Sequence, residues 1–123
     1  MRKIKFRGLT DEHVWVYGWF TDDDLSPDII DGMSTRHKVL SKTVGQFTGY
    51  RDRDGVEIYE DDILQYGSCV EVVFYEPTMG RFMTKLKKCN DESEIGEISS
   101  LSPYYTDNYK VIGNIFENLE FLK

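Results

Sequence analysis

Hydrophobic and polar residues alternate along much of the chain, and the clearest run spans residues 13–20. In this run Val14, Val16 and Gly18 occupy one set of alternate positions, and Trp15, Tyr17 and Trp19 occupy the other. Successive side chains of a strand point to opposite faces of its sheet. The run therefore predicts a strand with one aliphatic face and one aromatic face.

The same period of two predicts short strands elsewhere. They cover Lys3–Arg7, Thr35–Leu40, Thr43–Tyr50, Val56–Tyr59, Ile63–Tyr66, Cys69–Tyr75, Arg81–Lys87 and Tyr109–Asn118. Asp54-Gly55 separates two of these runs and predicts a tight turn, because glycine accepts the positive φ that such turns require. The acidic, turn-rich segment Thr21–Met33 is predicted to be mainly loop. Residues 89–103 are polar and are predicted to form a mobile loop.

Composition favours strands over helices and one domain over two. The 123 residues include no alanine, the best helix former, but eight tyrosines, seven phenylalanines and two tryptophans. A chain of this length buries roughly two thirds of its unfolded surface when it folds as one domain. The sequence therefore predicts a single domain over residues 1–123, mainly β, with short antiparallel strands and little helix.

Charge and hydropathy exclude several classes of function. Lys and Arg number 15 against 22 Asp and Glu, and the resulting net charge of −7 repels polyanions such as bulk nucleic acid. No apolar run approaches the roughly 20 residues of a membrane-spanning helix. The charged segment Met1–Arg7 also lacks the apolar stretch of a signal peptide. A cytoplasmic protein without membrane contact is expected.

Cysteine and histidine are too sparse for a structural metal site. Cys69, Cys89, His13 and His37 are far apart in the sequence, whereas a zinc site needs four ligands at tight spacing. Cysteines in a reducing compartment stay unpaired, so Cys69 and Cys89 are predicted to be free thiols. We expect no metal and no cofactor.

Glu57, Glu60, Asp61 and Asp62 form the densest group of carboxylates. Convergent oxygens bind divalent metals, which makes these residues the candidates for a metal-dependent active site. The competing interpretation, which we favour, is a solvated turn in which Asp62 accepts hydrogen bonds from backbone amides. The sequence contains no Ser-His-Asp or Cys-His pattern and no glycine-rich phosphate motif, so no catalytic residue is assigned.

Positive charge concentrates in the segment Arg36–Arg53, which is the candidate for contacts with nucleic acid. Lysines and arginines neutralise phosphates, and neighbouring aromatic rings stack on bases. However, Asp52 and Asp54 alternate with Arg51 and Arg53 and neutralise them. We therefore favour a solvated hairpin tip, with Arg51 and Arg53 kept as candidates for contact with a partner.

The aromatic residues of the strongest strand have two interpretations. Trp15, Tyr17 and Trp19 each bury a large apolar area when they pack. They are therefore either core residues or a contact with another subunit, and the pattern alone leaves both open.

Three blocks of the sequence occur in an order that is typical of a known protein family. They are Ile4–Arg7 with the later Trp15, Thr43–Leu64, and Val111–Asn118, and they span nearly the whole chain. In these blocks the chain resembles the YopX family, small proteins encoded mainly by temperate phages and prophages. The family usually has glycine in place of Asp61 and often proline in place of Leu119. The resemblance implies a compact β-rich domain of barrel-like character and a phage or prophage context, without a particular chemistry.

Three hypotheses of function follow. The favoured one is a non-catalytic phage or prophage accessory protein, a β-rich interaction module that contacts protein and forms a homo-oligomer. The second is a metal-dependent enzyme of nucleic-acid metabolism that uses Glu57, Glu60, Asp61 and Asp62. The third is a small nucleic-acid-binding protein that uses Arg36–Arg53.

Overall fold

The computed structural model describes residues 3–22, 27–102 and 107–123. Its strands are β1 (Phe6–Leu9), β2 (Trp15–Thr21), β3 (Asp28–Ile30), β4 (Arg36–Lys38), β5 (Gly45–Arg51), β6 (Glu57–Tyr59), β7 (Asp62–Tyr66), β8 (Cys69–Glu76), β9 (Arg81–Lys88), β10 (Ile98–Ser100) and β11 (Lys110–Asn114). Short 3₁₀ helices lie at Ser41–Thr43, Glu92–Glu94 and Leu119–Leu122. The predicted mainly β fold with little helix is confirmed.

The strands form two antiparallel sheets, and the chain divides into two compact units, Met1–Gly49 and Tyr50–Lys123. We call them unit 1 and unit 2. Within the described ranges the sheets show no closed barrel, so the barrel-like character stays a prediction. None of the helices in those ranges has the length and apolar character needed to cross a bilayer.

Unit 1 is built on strands in the order β4-β3-β2-β1-β5. β1 and β2 pair with Arg7 opposite Tyr17, and β2 and β3 pair with Trp19 opposite Ile30. Because side chains alternate along β2, Trp15 shares a face with Tyr17 and Trp19. The predicted alternation of this strand is confirmed.

The strand β3 corrects the prediction that Thr21–Met33 is mainly loop. Ile29 is fully buried and lies opposite Phe20 of β2 and His37 of β4. Three residues are too few to show a period of two, so pairing on both sides creates this strand. Residues 23–26 of the same segment lie outside the described residues.

Unit 2 contains a sheet in the order β10-β9-β8-β7-β11, together with the turn between β5 and β6. β8 and β9 form the predicted hairpin, with Glu76 opposite Arg81 at its closed end. Gly55 has a φ of 83° and donates its N–H to the carbonyl oxygen of Asp52 at 3.0 Å. The predicted tight turn at Asp54-Gly55 is confirmed.

Two apolar clusters cover the two faces of this sheet. One contains Ile58, Leu64, Val73, Leu101 and Tyr109. The other contains Ile63, Val70 and Val72, with Ile112, Ile115 and Leu122 packed against it. Neighbours such as Ile63 and Leu64 fall into different clusters, because consecutive residues of a strand point to opposite faces.

The segment predicted as a mobile loop, residues 89–103, contains ordered elements. Glu92–Glu94 is a 3₁₀ helix, and β10 pairs with β9 through Ser99 opposite Thr84. Leu101 is buried in the first cluster. Pro103 lies outside the described residues, and the mobility of the segment stays a prediction.

Cys69 and Cys89 form a disulfide bond, with their Cα atoms 4.1 Å apart, so the prediction of two free thiols is wrong. Cys69 begins β8, and Cys89 follows the last residue of β9. Val70 pairs with Lys88, which places the two cysteines side by side at the open end of the hairpin. This proximity comes from strand register and is not visible in their spacing along the sequence.

Candidate interaction surface

The four candidate metal ligands follow the course of a structural turn. Asp62 is 1% exposed, and its Oδ2 accepts a hydrogen bond from the Tyr59 backbone N–H at 2.7 Å. Asp61 has a φ of 71°, in the left-handed region that turns use. Across the described ranges, no three Asp, Glu, His or Cys side chains converge to hold a metal ion. The backbone-fixing role of Asp62 is as predicted, but its carboxylate is buried rather than solvated.

Glu57 belongs to a polar network instead of a metal centre. The Tyr59 hydroxyl donates to Glu57 Oε1 at 3.0 Å, and Arg51 Nη2 donates to Glu57 Oε2 at 3.4 Å. Glu57 and Glu60 are both only partly exposed. The Glu57 carboxylate therefore anchors the otherwise buried Tyr59 ring and fixes the Arg51 side chain on the β5–β6 hairpin.

Asp52 has a structural role that the sequence reasoning missed. It is 5% exposed, and its Oδ1 accepts the backbone N–H groups of Asp54 and Val56 at 2.9 Å each. Its Oδ2 accepts the N–H of Val111 at 2.9 Å, 59 residues along the chain. The first two bonds are an ordinary aspartate turn and were foreseeable from Asp-x-Asp-Gly. The third depends on the position of β11.

Divalent metal ions are expected to leave the thermal stability unchanged. A ligand raises the melting temperature only if it binds the folded state with a Kd below its concentration. The buried Asp62 carboxylate is occupied by backbone, and Mg²⁺ demands near-octahedral oxygen geometry. Melts with and without millimolar Mg²⁺ or Mn²⁺ test this. A rise of several degrees that Glu60→Gln abolishes would instead identify a metal-dependent site.

Three carboxylates in turns make the free energy of unfolding depend on pH in the acidic range. The His37 side chain hydrogen-bonds to Asp31 and holds the pKa of Asp31 below its ordinary value. The pKa values of Glu76 and Asp91 are lowered by the hydroxyl and backbone N–H two residues later. When a carboxylate has a lower pKa in the folded chain than in the unfolded chain, it stabilises the fold at a pH above the unfolded-state pKa. This stabilisation is lost as the pH falls through the folded-state pKa.

We therefore expect the free energy of unfolding to decrease as the pH falls below about 4. Urea unfolding at a series of pH values measures this decrease. Asp31→Asn should make the decrease shallower, because one of the linked protonations is removed. An unchanged slope in that variant would show that Asp31 takes no part.

Arg36, His37 and Arg51 of the segment Arg36–Arg53 are each paired with an acid. The side-chain pairs are Arg36 with Asp28 at 3.2 Å, His37 with Asp31 at 2.8 Å and Arg51 with Glu57 at 3.4 Å. Arg53 is exposed, and its backbone N–H donates to the carbonyl oxygen of Tyr109. The Arg51 side chain is paired with Glu57 and not with Asp52 or Asp54, which corrects the predicted partners. Asp52 instead accepts the backbone N–H groups of Asp54 and Val56.

The aromatic face of β2, defined as Trp15, Tyr17 and Trp19, is largely open to solvent. Trp19 is 64% exposed and Tyr17 is 43% exposed, so neither is a core residue. Trp15 is half-buried, and the Arg7 guanidinium lies 4.5 Å from the centre of its ring. Such a cation–π contact fixes the Trp15 end of the face.

The net charge of the chain is carried entirely by unit 2. Unit 1, with residues 1–49, has seven Lys and Arg against seven Asp and Glu, and unit 2 has eight against fifteen. The aromatic face of β2 thus belongs to a unit without net charge. The negative field inferred from composition applies to the other unit.

These observations define a mainly β protein with an exposed aromatic face and with its candidate acids in structural roles. The family model of the YopX protein matches residues 5–123, so the chain belongs to the YopX family, as the resemblance predicted. The crystal structure of protein EF1440 from Enterococcus faecalis is similar over 100% of both chains, with a TM-score of 0.58 and 25% identity. No curated protein matches the chain.

Proposed function

We propose that this YopX-family protein is a non-catalytic accessory protein of phage or prophage origin. It is a β-rich, barrel-like interaction module, and its contact surface is the aromatic face of β2. The partner at this face is a second copy of the chain. The observation that carries the proposal is the exposure of Trp19 at 64% and Tyr17 at 43% on one face of a paired strand.

Large exposed aromatic side chains support a contact surface. Trp and Tyr are enriched at the centres of protein interfaces, where a few such residues supply most of the binding energy. Register places Trp19 in one row with Ile30 and Arg36, and arginine is a third residue enriched at interfaces. The face therefore offers an apolar centre bordered by the Arg36–Asp28 ion pair.

The charge distribution favours a second copy as the occupant. Two copies that met through unit 2 would bring like charges together, because that unit carries all of the net negative charge. Contact through unit 1 avoids this repulsion. The structural roles of Asp52, Glu57 and Asp62 count against the enzyme hypothesis, since these acids are already engaged with backbone, Tyr59 or Arg51.

Replacing Trp19 with alanine is expected to dissociate the assembly without unfolding the chain. Loss of an exposed anchor weakens association by about 2 kcal/mol or more, roughly a thirtyfold change in Kd, and costs little stability. Trp15→Ala is the matched control on the same face. It removes the half-buried ring beside Arg7 and is expected to lower the free energy of unfolding by about 2 kcal/mol.

Sedimentation velocity over a range of protein concentrations measures the assembly, and thermal melts measure the stability of each variant. A parent chain that stays monomeric at high concentration would refute the second copy as occupant. An unchanged association constant in Trp19→Ala would refute the aromatic face as the contact. Salt-dependent binding of single-stranded DNA, lost when Arg51 and Arg53 are replaced by alanine, would favour the nucleic-acid hypothesis instead.

A further inference from the structure

Unit 2 contains a cavity that the proposed function does not use. Its volume is about 450 Å³, within the range of about 300–1,000 Å³ typical of small-molecule sites. It is an open pocket: of the residues that line it, Val70 is buried, whereas Ser68, Lys88, Asn90, Glu120 and Phe121 are exposed. All of these residues belong to unit 2, and the aromatic face of β2 belongs to unit 1.

The floor of the cavity is one row of the sheet. Gln65 lies opposite Val70, and Val70 lies opposite Lys88, so the row crosses β7, β8 and β9. The second apolar cluster continues from Val70 on this face and is contacted by Leu122 of the 3₁₀ helix Leu119–Leu122. Phe121 of the same helix forms a side wall. The cavity thus lies at the end of the sheet face that carries Val70, beside the 3₁₀ helix Leu119–Leu122.

Two irregularities of strand register in this sheet both occur at the cavity. Between β8 and β9 the pairing shifts at Val70, and Lys87 is the extra residue. This bulge turns Lys88 to the face of Val70, whereas strict alternation would point it to the opposite face, with Leu86. The second shift makes Ile112 the extra residue of β11. Bulges re-aim side chains and are common beside functional sites.

The wall carries one cation, Lys88, and one carboxylate, Glu120. Lys88 has no ion pair or side-chain hydrogen bond with any described residue, so its ammonium group can bind a ligand. Ser68 and Asn90 add neutral donors to the wall, whereas the side-chain amide of Gln65 already donates to the Gly67 carbonyl oxygen at 3.2 Å. Charge-assisted hydrogen bonds to an anion are the strongest that such a wall can make. Glu120 and the negative charge of unit 2 oppose a second anionic group.

The disulfide fixes the polar end of the cavity. Ser68 and Val70 flank Cys69 in the sequence, and Lys88 and Asn90 flank Cys89, so the bond joins the two segments that carry these wall residues. The Asn90 backbone N–H also donates to Ser68 Oγ at 3.3 Å. A wall held in place before binding loses less entropy when a ligand arrives.

From this geometry we infer that the cavity is a binding site for a small monoanionic molecule with an apolar body, such as an aromatic carboxylate. Its anionic group binds Lys88 with Ser68 and Asn90. Its apolar body packs on Val70, Ile112 and Phe121.

Two fluorescent probes of the same shape test the site. 8-Anilinonaphthalene-1-sulfonate is an aromatic monoanion, and N-phenyl-1-naphthylamine has the same ring system without charge. In Lys88→Glu we expect the affinity for the anionic probe to fall at least tenfold and that for the neutral probe to change less than twofold. Lys85→Glu is the matched control, because Lys85 is an exposed lysine of the same strand outside the cavity wall. It should leave both affinities within twofold.

Phe121→Ser should lower the affinity for both probes, because it removes part of the apolar wall. Thermal melts of every variant verify that the fold is kept. Unchanged binding of the anionic probe to Lys88→Glu would overturn the inference. Equal losses in Lys88→Glu and Lys85→Glu would also overturn it, by showing an unspecific effect of charge. So would equal loss of both probes in Lys88→Glu. Trp19→Ala should bind both probes like the parent, so failure here is distinct from failure of the proposed assembly.

Discussion

Asp52→Ala is expected to lower the free energy of unfolding by roughly 3–5 kcal/mol. The carboxylate accepts three backbone N–H groups, those of Asp54, Val56 and Val111, in a nearly buried position. Hydrogen bonds to a charged group contribute about 1.5–3 kcal/mol each, and a buried donor left without an acceptor adds to the loss. Urea unfolding followed by tryptophan fluorescence measures the change.

Two variants separate the acceptor role of Asp52 from its charge and its place in a turn. Asp52→Asn keeps one carbonyl oxygen and should lose less stability than Asp52→Ala. Asp54→Ala changes a neighbouring exposed carboxylate and should stay within about 0.5 kcal/mol of the parent. If Asp52→Ala were no more destabilised than Asp54→Ala, the bond to Val111 would not contribute to stability.

Gly18→Ala is expected to cost about 3 kcal/mol or more, because its new methyl group would overlap the backbone carbonyl oxygen of Ile30 on β3. A carbonyl group in a paired strand cannot rotate away as a side chain can. Gly18 also has a φ of 155°, which residues with a Cβ rarely adopt. Thermal melts with circular dichroism measure the loss.

Gly49→Ala is the control that measures the cost of an unfavourable backbone conformation without a steric overlap. Gly49 has a φ of 89°, and a Cβ there would meet no atom within 4 Å. Its cost should be about 1 kcal/mol, from conformation alone. Equal destabilisation of the two variants would mean that β3 moves away from β2 at no cost. The close packing of these strands would then not be required for the fold.

Local pattern was enough to predict several elements of this fold. The two faces of β2, the β8–β9 hairpin and the Asp54-Gly55 turn each depend on residues close in sequence. β3 could not be predicted in this way, because its three residues become a strand only between β2 and β4. The disulfide between Cys69 and Cys89 likewise depends on the register of a hairpin 20 residues long.

The candidate sites were predictable only in part, for a related reason. Alternation identified which side chains of β2 share a face, but it could not show whether another element covers that face. The exposure of Trp19 therefore became known only from the structure. For the acids, sequence spacing identified the turn at Asp61 and Asp62. It did not reveal that Asp62 is buried, since burial depends on what packs against the turn.

Strand edges determine how molecules of this kind can join. β4 is three residues long and carries the exposed cations Arg36 and Lys38, and β10 is equally short. On β11, the side chains of Asp52 and Asn118 already bind the backbone N–H groups of Val111 and Asn114. Short, charged or occupied edges resist the addition of a foreign strand. Growth into cross-β aggregates is therefore disfavoured at these three edges, β4, β10 and β11.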